Sequence, residues 1–165
     1  MSKKPAKKSN KSGKKQSVSA SMPKSLQELM SAFGGRQTRR SAVEDAQMIM
    51  YDAWEAGSEK KAVALAKKAL DVSADCADAY NLLADFADSL EEATELYHQG
   101  VGAGERALGK KRFKEYTGAF WGFIETRPYM RARAGLARCL YAAGKRDEAV
   151  EHYQALLELN PNDNQ

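Results

Sequence analysis

Residues 125–163 read ETRPYMRARAGLARCLYAAGKRDEAVEHYQALLELNPND, and this stretch decides the fold. Leu136, Ala137, Leu140 and Tyr141 recur at i, i+1, i+4 and i+5, and Ala149, Val150, Tyr153, Leu156 and Leu157 form a second stripe of the same kind. Each stripe marks one amphipathic helix. Thr126 is predicted to cap the first helix, with Pro128 in its first turn, where a missing N–H costs nothing, and Gly144 just past its end. Pro161 stops the second. Two such helices joined by so short a turn pack antiparallel, because neither buries its stripe alone.

The spacing resembles the tetratricopeptide repeat, which runs W-x2-L-G-x2-Y, then A-x3-F, then P. Arg133, Leu136, Ala137 and Leu140 occupy the first run, Ala149 and Tyr153 the second, and Pro161 the end. Arg133 departs from the pattern, standing where the family has a large apolar residue. The resemblance implies an all-α fold, a right-handed superhelical stack of helical hairpins.

The period extends toward the N-terminus. Ala46, Ile49, Met50 and Ala53 form a first-helix stripe; Gly57 closes it; Ala62, Ala66, Ala69 and Leu70 continue in a second helix. The matching run starts at Tyr80 with Leu83, Ala84 and Ala87, and Ala93 and Tyr97 supply the A-x3-F element three residues early. The hairpins are thus predicted at about 41–72, 75–108 and 127–160. The surplus before the third hairpin holds Phe113, Tyr116, Phe120, Phe123 and Ile124 at helical spacing, broadened by Trp121, and reads as an inserted helix over about 110–124. Gly100, Gly102 and Gly104 each cost about 1 kcal/mol against Ala in a helix; a kink, a break or a close helix contact would each account for them. The segment beginning FWGFIETRPYMRAR and ending LNPNDNQ is similar to a mostly bacterial group of tetratricopeptide-like proteins of unassigned role, in which further helical repeats follow. That similarity implies an architecture and no chemistry.

Charge divides the chain. Residues 1–24 hold eight Lys and no acid, a composition that buries too little apolar surface to offset its ordering entropy, so a disordered tail is expected. Ser25-Leu26-Gln27-Glu28 has the form of a capping box ahead of Leu29, Met30 and Phe33, giving a short helix and linker over 25–40. The remainder, 41–165, carries 15 basic and 21 acidic side chains, although the whole chain has a formal charge of +4. No run of 18 apolar residues and no apolar segment after the basic start is present, so neither a membrane span nor a secretory signal is expected, and the reading is a cytoplasmic protein. Cys76 and Cys139 form no CxxC, and only His98 and His152 accompany them; ordinary thiols are expected, with no metal, disulfide or cofactor.

No phosphate loop, HExxH or GxSxG is present, and Gly100, Gly102 and Gly104 follow no strand, so the chain does not read as an enzyme. It reads as a non-catalytic protein-interaction module, an adaptor or scaffold that binds a peptide or protein in a concave groove lined by the first helices of the hairpins. By that geometry the groove residues are Tyr51 and Trp54, with Glu44 and Gln47, from the first hairpin; Asp78, Asn81, Asp85 and Asp88 from the second; and Arg131, Ala134, Arg138 and Tyr141 from the third. The acids on the second hairpin disfavour the carboxylate clamp of some tetratricopeptide domains. An alternative is a nucleic-acid- or ribosome-associated protein that uses Lys3, Lys4, Lys7, Lys8, Lys11, Lys14 and Lys15 with the Arg-rich third repeat. The aromatics near Lys110–Lys114 read as core at their spacing. Finally, Val150, Tyr153, Leu156, Leu157 and Leu159 cover more of the last helix than one contact needs, so an exposed apolar patch is expected there, covered by self-association, by a partner, or by more chain.

Overall fold

Three serines start helices. Ser41 is a complete capping box: its hydroxyl accepts from the Glu44 N–H (3.3 Å), and the Glu44 carboxylate accepts from the Ser41 N–H (2.7 Å). Ser58 and Ser89 cap the next two long helices in the simpler way. The computed structural model describes Met1 and residues 41–162. The expected Lys-rich tail and the short helix after it lie outside the described residues.

Among the described residues the regular elements are α1 (Ala42–Trp54), α2 (Glu59–Val72), α3 (Ala77–Asp85), α4 (Leu90–Tyr116), α5 (Arg127–Ala142) and α6 (Arg146–Leu159), with 3-10 turns at Phe120–Gly122 and Ile124–Thr126. Helices α1 and α2, α3 and α4, and α5 and α6 pack as hairpins, and α3 also packs on α2, and α5 on α4. This is an all-α, tetratricopeptide-like stack. Ala46, Met50 and Ala53 of α1 close on Ala62, Ala66 and Ala69 of α2, and Cys76, Ala79 and Leu82 complete that core. The end of α5 is a Schellman motif: the Lys145 N–H donates to the Leu140 carbonyl (2.9 Å) and the Gly144 N–H to that of Tyr141 (3.0 Å), with Gly144 at φ 80°.

Two glycines of the 100–104 run prove to be contact residues. A Cβ at Gly100 would lie 3.2 Å from the Ala132 Cβ, and one at Gly104 only 2.8 Å from that of Tyr129. Their absence lets α4 run close against α5. The helix stays regular through them and breaks at Gly109, where φ is 66° and ψ 162°.

The inserted segment differs from the single helix expected over 110–124. Helix ends at Tyr116, and the chain continues through Gly118 (φ 96°) into the two 3-10 turns. The reason is a set of bonds that a continuous helix would not allow. The Gly118 N–H donates to the Leu159 carbonyl (2.8 Å), satisfying an orphan acceptor at the end of α6, and the Trp121 N–H donates to Asn160 Oδ1 (3.3 Å). Thr126 makes no cap to α5; its hydroxyl donates instead to the carbonyls of Phe120 and Phe123, which holds the 3-10 turns together. Phe120 is fully buried, with Phe113 5.1 Å and Tyr129 6.1 Å away between ring centroids, and Phe113, Tyr116 and Trp121 pack on this core, whereas Phe123 and Ile124, expected in the same stripe, are exposed. Leu156 and Leu159 also belong to this core, which removes them from the apolar patch expected on the last helix. Val150, Tyr153 and Leu157 are the exposed members.

Candidate peptide-binding groove

An acid on the second hairpin ties the three first helices together. Asp78, 1% exposed, accepts from Gln47 Nε2 of α1 (3.0 Å), from Asn81 Nδ2 one turn on (3.1 Å), and from Arg131 of α5 through Nε (3.0 Å) and Nη2 (2.5 Å). The fork of Arg131 on both oxygens is the bidentate geometry that makes such pairs strong. Asn81 Nδ2 also donates to the Pro128 carbonyl (3.0 Å), engaging the first turn of α5. Asp78 and Asn81, expected as groove-facing contacts, are therefore buried and engaged within the fold; they form a floor.

Above this floor lies a depression of about 320 Å³ lined by Trp54, Asp78, Asn81, Leu82, Asp85 and Arg131. The structure thus brings together five of the residues expected in the groove. The Arg131 guanidinium sits 5.7 Å from the Trp54 ring centroid, within cation–π range, and Tyr51 meets the same ring edge-on at 5.5 Å. A second depression, about 410 Å³, shares Trp54, Leu82 and Asp85 and extends over Ala53, Ala62 and Phe86. Leu82 and Phe86 are not on the face that the helical period selects; the one signal in the sequence is that Phe86 is a large apolar residue between the acids Asp85 and Asp88.

Arg138, Tyr141, Asp88, Glu44 and Ala134 are not among the residues that line these depressions. Asp85 accepts from the Tyr97 hydroxyl, and Arg138 interacts with the same Tyr97. Burial, then the Asp85 hydrogen bond and charge, push the Tyr97 hydroxyl from its ordinary 10.0 up to about 12, with Arg138 opposing. Tyr141 lies at the far end of α5, exposed, with the Arg146 guanidinium 5.9 Å from its ring centroid. Asp88 is exposed beyond the end of α3, and its N–H donates to the Glu92 carboxylate. Glu44 is engaged in the α1 capping box and Ala134 is half-buried. The lysines from Lys3 to Lys15 lie outside the described residues.

Three arginines of the third repeat have partners within the fold, although only Arg133 is partly buried. Arg131 holds Asp78; Arg127 Nε donates to the Trp121 carbonyl (3.2 Å); Arg133 donates to the Tyr129 hydroxyl and lies over its ring. This explains the departure at 133: the guanidinium stacks on an aromatic one turn back, covering the surface a large apolar side chain would cover. Cys76 is buried and its thiol is pushed from 9.0 up to about 11, chiefly by desolvation, so it is a poor nucleophile. Among the described residues no group of His, Cys, Asp and Glu is placed to hold a metal ion, and no helix is long and apolar enough to cross a membrane.

Residues 131–163 match the tetratricopeptide repeat. No curated protein and no solved structure matches the chain.

Proposed function

We propose that the hairpin stack is a non-catalytic adaptor or scaffold that holds a peptide segment of a partner protein across α1, α3 and α5. The tetratricopeptide match supports the general reading, since such repeats are typically interaction modules. The observation that carries the more specific one is Trp54, a half-exposed indole at the junction of the two depressions, flanked by Tyr51 and covered on one side by Arg131. Large, rigid aromatic rings of this kind dominate binding energy at protein interfaces. The depression on the α2 side is floored by Ala53, Ala62 and Leu82 and edged by Glu59 and Asp85, with Phe86 at its wall. It suits an apolar side chain carried on a cationic segment.

Panning displayed random peptides on the full chain tests this. The expected result is enrichment of sequences with one large apolar residue flanked by Lys or Arg, whose binding falls at least about tenfold with Trp54→Ala, the loss typical of a hot-spot aromatic. Enrichment without that pattern, or peptides that bind Trp54→Ala equally well, overturns it.

A further inference from the structure

Helix α4 is acidic before its break at Gly109 and basic after it. Before the break, Glu91, Glu92, Glu95 and Glu105 outnumber Arg106; after it come Lys110, Lys111, Arg112 and Lys114, with Glu115 the one acid among them. All four of these later cations are exposed, and among the described residues none of their side chains makes an ion pair or a hydrogen bond. That sets them apart from Arg106, Arg131 and Lys145, which pair with Asp75, Asp78 and Glu148. Phe113 packs on the core, so at 3.6 residues per turn Lys111 stands on the outward side of the helix, with Arg112 and Lys114 flanking it.

The corner beyond this helix carries an apolar tip. Phe123 stacks on Tyr116, with ring centroids 3.8 Å apart and planes 14° from parallel, and Glu125 accepts from the Tyr116 hydroxyl (3.2 Å). Both chain neighbours of Ile124 are thereby held on one ring. Ile124 itself is 66% exposed, more than any other large apolar side chain within residues 41–162. Arg112 sits one turn before Tyr116 and its charge acts on the Tyr116 hydroxyl, so the basic stretch and the tip adjoin.

The chemistry of this surface selects its occupant. Unpaired cations attract anions. Nucleic acid supplies them, but its apolar contact is base stacking on aromatic faces; Tyr116 already covers one face of Phe123, and Ile124 has no such face. A folded acidic partner would need a pocket shaped to a protruding tip. A fluid bilayer needs no matching shape: the tip enters the boundary between headgroups and acyl chains while the cations around it hold anionic headgroups. From this we infer that the Phe123–Ile124 corner and the cations of residues 110–114 form a peripheral docking site for an anionic lipid bilayer. The corner lies inside the chain, in the connection between α4 and α5, and is separate from the groove, so the inference stands whether or not the groove binds peptides.

Flotation of the full chain with vesicles of phosphatidylcholine, alone or mixed with phosphatidylserine at about 7:3, tests this over a range of lipid concentration. Binding is expected to the mixed vesicles and little to the neutral ones. The lysines from Lys3 to Lys15 attract the same lipids by charge alone, so the deciding variants leave them intact. Ile124→Ser keeps every charge and should weaken binding about fivefold or more by removing apolar surface from the tip. Lys111→Gln with Lys114→Gln should weaken it about tenfold or more, at about fivefold per cation. Melting temperatures should stay unchanged, as they do for exposed substitutions, and Trp54→Ala should leave vesicle binding as it is. Binding that Ile124→Ser does not weaken overturns the inference, because the attraction would then be charge alone. Equal binding to neutral and mixed vesicles, or binding to neither, overturns it as well. So does retention of single-stranded RNA that the lysine pair variant abolishes while vesicle binding is unaffected, which would assign these cations to nucleic acid.

Discussion

The ring of Tyr97 lies directly over the Cα of Gly135, and the hydroxyl of that ring reaches across to Asp85. One side chain thus spaces α4 from α5 and fixes the end of α3. Gly135→Ala places a methyl group where the ring is, and the ring, held at its far end by Asp85, has nowhere to go. A loss of about 1–3 kcal/mol is expected from overpacking, read as a lower urea midpoint at constant m. Gly104→Ala should behave alike, since its Cβ would sit against the Tyr129 Cβ. Gly102→Ala, which meets only the flexible end of Arg106, should stabilise by up to about 1 kcal/mol through helix propensity. If all three variants shift the midpoint the same way, the close-contact account of this glycine run fails.

Asp78 offers a second test. Removing its carboxylate leaves Gln47, Asn81 and Arg131 short of an acceptor at a buried point, and Arg131→Ala leaves a buried carboxylate short of its strongest donor. Each should cost about 1–3 kcal/mol, the penalty for a buried polar group deprived of a partner. Arg138→Ala should stay within about 0.5 kcal/mol, as exposed substitutions do. Thermal melts of the two arginine variants side by side decide it: equal melting temperatures would mean that Asp78 is adequately held without Arg131. Charge reversal at Arg131 is accordingly a test of stability as well as of the groove.

These residues show what was legible in the sequence. The apolar stripes of residues 125–163 and their echoes at Ala46 and Tyr80 report helices and hairpins because helical period is a local property. Which side chains share a helix face follows from the same period, and Trp54, Asp85 and Arg131 line one depression. What period does not carry is pairing: the burial of Asp78 depends on Gln47 and Arg131 arriving from helices 31 and 53 residues away. The inserted segment departs from its helical period for a similar reason. Its aromatics do fall at helical spacing, but Gly118 and the carbonyl of Leu159 divert the chain after Tyr116.

Alkaline pH should destabilise the fold, with two groups showing the largest shifts. The Cys76 thiol and the Tyr97 hydroxyl both have folded values raised above their ordinary ones, to about 11 and about 12. Above pH 9 the unfolded chain releases protons that the folded chain retains, so stability is fully present below that pH and is lost as pH rises toward 11 and then 12. The melting temperature should decline from about pH 9 upward, and Cys76→Ala should make the decline between pH 9 and pH 11 shallower, the Cys139 thiol, also raised by burial, retaining part of it. An unchanged alkaline profile in that variant would show that Cys76 contributes nothing to it.

At acid pH the sign reverses through His152. Its folded value is held below the ordinary 6.5 by burial first and then by the Arg133 guanidinium, with His98 adding to the effect and Glu151 and Glu148 opposing it. The unfolded chain takes up a proton on this histidine before the folded chain does, so the contribution to stability is present above pH 6.5 and is lost as pH falls from 6.5 through the lowered folded value. Arg133→Met keeps the apolar stem over Tyr129 and removes the cation. In that variant the His152 ring resonances should titrate at higher pH than in the parent chain, while still falling short of a free histidine because desolvation remains. The drop in melting temperature between pH 7 and pH 5 should shrink accordingly. A His152 titration unmoved by Arg133→Met would assign the depression to burial alone, and the guanidinium would then be at most a packing element on Tyr129.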